Sequence, residues 1–183
     1  MIYSEQFSED CVVFNTGNGS WERKILKVLC RLENGKKIKV FDAKPPLHYK
    51  ERLVGCKATN VVKFFSARFY LVVYDEEHAC NLENFKKISE NIFVKENGER
   101  IVVVGIQRRK LESEISRMIL EFFGERIEDN KRDIIKFLKS KGFDTIWDFI
   151  GFLYRSNRAI LRRNLTLFNC LEYLKGKILS IYY

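Results

Sequence analysis

Two short segments carry the residue types that act on phosphates. Cys11 to Ile25, CVVFNTGNGSWERKI, reads as a strand, a glycine turn and the start of a helix, which is the layout of a phosphate-binding loop. Asp75 and Glu76 follow the apolar run Phe69–Tyr74, and an acidic pair at the carboxyl end of such a strand holds the metal of a bound triphosphate in nucleotide hydrolases. The glycine turn, Gly17-Asn18-Gly19, is followed by Ser20 where the phosphate-binding Lys belongs and by Trp21 where Ser or Thr belongs. A loop of this kind offers backbone N–H groups to phosphate but lacks the side chain that reaches the β and γ oxygens. Gly17, Gly19, Ser20, Asp75 and Glu76 therefore read as a vestigial nucleotide site, with no catalytic residue, metal or cofactor expected. The run Asp75-Glu76-Glu77-His78 is similar to the DExH box of helicases. A helicase also needs the phosphate-loop Lys and a second motor domain, so the box reads as a vestige.

Positioning these residues requires a sheet with helices around it. Strands are expected at Cys11–Phe14, Lys37–Phe41, Phe69–Tyr74 and Ile101–Gly105, and helices over residues 21–32, 82–93 and 113–123. Continuous apolar runs such as Phe69–Tyr74 suit strands buried on both faces. The alternation predicts an α/β fold with a mostly parallel sheet between flanking helices. From Glu128 onward the periodicity is helical, with elements over 133–138 and from Asp144 or Thr145 to Tyr154, and a long one from Arg158 to the end. Two domains are expected: residues 1–127 as the α/β part and 128–183 as a small all-helical part.

Composition places the chain among globular proteins, since 46% apolar residues can fill a core and 31% charged residues are too few and too mixed for a disordered polyelectrolyte. The apolar run Cys11–Phe14 is preceded by acidic residues and no stretch is long enough for a membrane span, so a cytoplasmic protein without a secretory leader is expected. Five widely spaced Cys and two isolated His (His48 and His78) argue against structural zinc and a disulfide framework.

The charge lies in the last third. Residues 131–183 hold 11 Lys/Arg against 4 Asp/Glu, whereas the preceding residues hold 22 against 20. Arg155, Arg158, Arg162 and Arg163 would form one stripe if the helices around them are continuous, a surface suited to nucleic-acid phosphates. Two of them have carboxylate partners within reach at Asp148 and Glu172. Asp42-Ala43-Lys44 after the second strand is similar to the D/E-x-K metal site of nucleases, which needs a further carboxylate upstream.

The segment Phe64-Phe65-Ser66-Ala67-Arg68, followed by Phe69-Tyr70-Leu71-Val72-Val73, resembles a motif of the delta-type subunit of bacterial DNA polymerase clamp loaders, where an apolar pair, two small residues and Arg precede an apolar strand. The degenerate phosphate loop and the helical second part fit the same resemblance, which extends in order from residue 11 to about 175. It implies an AAA+-like domain that does not hydrolyse ATP, with Phe64 and Phe65 as the wedge that enters a ring-shaped sliding clamp. The implied partners are that clamp and the other loader subunits, with DNA as a further candidate. The family also carries a collar domain, for which this chain leaves no room, so assembly is expected to differ. Two other readings stand beside this one: a DNA-binding module with a structural α/β domain, and a metal-dependent nuclease using Asp42 and Lys44.

Overall fold

The computed structural model describes residues 12–16, 20–34, 40–42, 57, 59, 62, 67–76, 82–98 and 100–182. Its strands are β1 (Val12–Thr16), β2 (Val40–Asp42), β3 (Phe69–Asp75), β4 (Lys86–Lys87), β5 (Ile92–Asn97) and β6 (Arg100–Gln107). The helices are α1 (Ser20–Asn34), α2 (Leu111–Phe123), α3 (Lys131–Ser140), α4 (Ile146–Ser156), α5 (Arg158–Asn164) and α6 (Thr166–Tyr182). One sheet of six strands runs in the order β2-β1-β3-β6-β5-β4. Parallel pairing joins β2, β1, β3 and β6, while β5 and β4 run antiparallel at one edge.

The sheet is thus mixed, and the reason lies in residues 82–97. A helix is expected over 82–93, yet this stretch forms β4 and β5. Leu82, Phe85 and Ile92 do fall at near-helical spacing, but Ile92 and Val94 alternate with Phe93 and bury on opposite faces. Pairing of β5 with β6, from Ile92 against Gly105 to Asn97 against Arg100, satisfies the backbone along the outer edge of β6, which a helix in place of β5 would leave unpaired. Gly98 at φ 59° makes the tight turn between them, a conformation that costs glycine little.

Alternation along β3 and β6 separates two apolar layers. Phe69, Leu71, Val73, Ile101 and Val103 face a cluster to which all six helices contribute, whereas Tyr70, Val72, Tyr74, Val102, Val104 and Ile106 face the opposite side with Val62, Leu82, Phe85 and Phe93. All described helices therefore lie on one face, a correction to the expected sandwich. The boundary expected near residue 128 falls in the connection between α2 and α3, and the first cluster runs across it.

α6 lies directly on the sheet because β6 carries a glycine there. A Cβ at Gly105 would overlap Sγ of the fully buried Cys170 and stand 3.4 Å from Cγ2 of Val73. Cys30 and Cys170 are both buried, and burial pushes the Cys170 thiol up to about 12, so Cys170 acts as a small apolar filler.

Local signals set the helix ends. α2 stops at Gly124 with φ 73°, α3 is capped by Asn130, whose side chain accepts from the Asp133 N–H, and Thr145 forms a reciprocal capping box with Asp148. The long helix expected after Arg158 is broken at Leu165, which is extended. Glu114 supplies the cause. Its Oε1 accepts from the Thr166 N–H at 2.8 Å and its Oε2 from the Thr166 hydroxyl at 3.2 Å, which caps a new helix start from a residue 52 positions back in the chain.

Burial pushes the Glu114 carboxyl up to about 8, with Glu22 raising it further and the Thr166 hydrogen bonds and Arg109 pulling it down. The folded state therefore holds a proton that the unfolded chain releases near pH 4.5. The resulting stabilisation is full below that pH and is lost as pH rises through about 8, a loss on the order of a few kcal/mol. Glu114→Gln keeps the shape and the Thr166 contacts without the charge. Its melting temperature should gain on the wild type from pH 5 to about pH 8 and level off above that, and a difference that stays constant over this range would contradict the assignment.

Candidate phosphate-facing site at the carboxyl edge of the sheet

Because β2 lies on one side of β1 and β3 on the other, the order in which strands are added to the sheet reverses between the parallel neighbours β1 and β3. In open α/β sheets ligands bind outside the carboxyl ends of the strands at such a point. Thr16 ends β1 there and α1 starts at Ser20, so its N-terminus opens on this edge. Gly17 and Gly19 lie outside the described residues. Asp75, half-buried, ends β3, and the exposed Glu76 follows it.

The register extends β3 past the last β1 pair, Thr16 with Val73, so Asp75 and Glu76 stand beyond the end of β1. They line a cavity of about 410 Å³ with Gln107, Arg108, Arg109 and Lys110 from the turn between β6 and α2. A carboxylate pair thus faces three consecutive cations across one cleft at the carboxyl edge. The three basic residues after an apolar strand, Arg108 to Lys110, are the signal in the sequence that marks these cations.

α1 presents its N-terminus in an unusual state. Trp21 is buried in the core with the Lys131 ammonium 4.9 Å over its ring, so its side chain is turned away from any ligand. Glu22 in the same turn is held above the usual carboxylate range by burial, then by Glu112 and Asp75, while its own backbone N–H and Lys131 oppose the shift. Glu22 thus sets a carboxyl in the first turn of α1, where a phosphate would otherwise meet the helix N-terminus.

The four arginines of the helical part are not one free stripe. Asn157 separates α4 from α5. Arg158 donates from Nε to the Tyr154 carbonyl at 2.9 Å and stacks on the Tyr154 ring at 4.1 Å. Arg162 forks onto Glu172, with Nη2 to Oε1 at 3.1 Å, and Arg163 reaches Glu121 at 3.0 Å. Asp148 caps α4 and takes neither. Arg155 is exposed on the last turn of α4. Exposed pairs of this type contribute about 0–1 kcal/mol, so a phosphate can displace them at little cost.

Phe64, Phe65, Lys44, His48 and His78 lie outside the described residues. Asp42 ends β2 at the same carboxyl edge, level with Phe14 of β1. Among the described residues no group of three His, Cys, Asp or Glu side chains is placed to hold a metal, and no helix is long and apolar enough to cross a membrane.

No protein family matches this chain, and no curated protein or solved structure matches it either.

Proposed function

We propose that this chain is a DNA replication accessory protein built on a hydrolytically silent nucleotide-binding scaffold, acting like the delta subunit of a clamp loader by binding a sliding clamp. In this reading residues 1–127 form an AAA+-like domain with a degenerate phosphate loop, residues 128–183 a basic helical domain, and Phe64 and Phe65 the clamp wedge. The observation that supports the scaffold most directly is the switch point between β1 and β3, with the α1 N-terminus and Asp75 on one edge. Silence follows from Ser20 in place of Lys, from Trp21 buried where a hydroxyl would hold a metal, and from Glu22 on the helix N-terminus.

The purified chain should show no ATP turnover above a protein-free blank in a coupled assay with magnesium. Steady turnover that Asp75→Ala abolishes would overturn the silent reading and restore a motor. A second reading, a DNA-binding module with a structural α/β part, is favoured by the Arg108-Arg109-Lys110 turn at the same edge.

A further inference from the structure

Beside that turn a second cavity, of about 250 Å³, is lined by residues from the β6–α2 turn, α2, α5, the start of α6 and the residues before β5. Four guanidinium groups enter its lining: Arg108 and Arg109 from the turn, Arg117 from α2 and Arg163 from the end of α5. Like charges gathered from three elements repel one another unless an anion lies among them.

Two of the four are anchored. Arg108 donates from Nη2 to the Glu90 carbonyl at 2.8 Å, and Arg163 is held by Glu121. Among the described residues neither Arg109 nor Arg117 has a carboxylate in ion-pair contact. Glu114 and Thr166, both buried, close the inner wall. Both Glu114 oxygens are bound by Thr166, and burial keeps that carboxyl neutral near pH 7, so it does not cancel the arginines. Glu90 brings the other lining carboxyl, on an exposed residue.

We propose that this cleft is a phosphate-binding site, in which Arg109 and Arg117 take one phosphate group and Arg108 and Arg163 flank it. Guanidinium forks match two phosphate oxygens at once. The volume suits a single phosphate with water rather than a whole nucleotide, whose pockets run from about 300 Å³ upward. The phosphate belongs to a nucleic-acid backbone or to a phosphorylated small molecule. The cleft shares Arg108 and Arg109 with the cavity beside Asp75 and Glu76 but takes Arg117 and Arg163 from the helices, and it does not depend on clamp binding.

The test uses the full chain, a fluorescent oligothymidylate read by anisotropy, and inorganic pyrophosphate read by calorimetry. Arg109→Gln with Arg117→Gln should weaken oligonucleotide binding at least about tenfold at low salt, and should lower the salt slope by about 1.4 for two lost single-strand contacts. Arg126→Gln with Arg132→Gln, a charge-matched pair outside the cavity, should weaken it far less. Loss of oligonucleotide binding assigns the site to a backbone phosphate, whereas pyrophosphate binding alone, lost in the same variant, assigns it to a small phosphorylated ligand. If the double variant melts early, Arg117→Gln alone, at an exposed position on α2, should still lose about threefold. No binding of either probe by the wild type, or equal losses in the cavity and control pairs, would overturn the proposal.

Discussion

Gly105→Ala should lower the melting temperature by about 6–12 °C, the shift that about 3 kcal/mol produces in a protein of this size. The added methyl points into the interface between β6 and α6, where Cys170 is fully buried and Val73 stands 3.4 Å away. Neither neighbour is a long flexible chain that can swing aside, so backbone must move and α6 must lift from the sheet. The cause can be isolated by pairing. Cys170→Ala alone removes the sulfur and leaves a small cavity, with a loss near 1 kcal/mol. Combined with Gly105→Ala it supplies the space that the methyl needs, so the double variant should be more stable than Gly105→Ala alone, a coupling that thermal melts of the four proteins measure directly. Additive losses would mean that α6 does not rest on Gly105.

How far the sequence discloses this architecture depends on the range of the interactions that decide each element. β3 and β6 are legible because Phe69–Tyr74 and Ile101–Val104 are short, β-branched or aromatic-rich runs, apolar without interruption, as suits a strand covered on both faces. The end of α2 at Gly124 and the cap at Thr145 are legible because the signals are local. Residues 82–97 are not, since Leu82, Phe85 and Ile92 satisfy a helical spacing while the strand choice is made by pairing with β6. The break at Leu165 is equally hidden, because the group that caps α6 is Glu114, far back in the chain. Arg162 and Arg163 illustrate the same limit at the surface. Their spacing suggests a stripe, but Glu121 on α2 holds one of them, and only the packing of α2 against α5 brings that pair together.

The acidic pair at the end of β3 could be placed from sequence because a strand end is a local event. Its cationic counterpart, Arg108 to Lys110, is close to it only because β3 and β6 are neighbours in the sheet. The two apolar faces of β3 explain a further gap. Nothing in the run Phe69–Tyr74 says that the described helices all collect on the face of Leu71 and Val73.

The central claim rests on Phe64 and Phe65 as a wedge, and the variant Phe64→Ala, Phe65→Ala tests it with a large effect expected on binding and a small one on stability. Two Phe rings inserted in a partner pocket bury on the order of 300 Å², enough to be the main anchors of an interface, so their loss should reduce affinity beyond detection. Core Phe residues behave in the opposite way, each costing about 3–5 kcal/mol when truncated. The deciding measurement is the affinity of the purified chain for the sliding clamp of its own cell, by calorimetry or surface plasmon resonance, for wild type and double variant, with a melt of each. The account predicts clamp binding by the wild type, none by the variant, and nearly equal melting temperatures. Absence of binding by the wild type, binding that survives the double change, or a collapse of stability in the variant would contradict it.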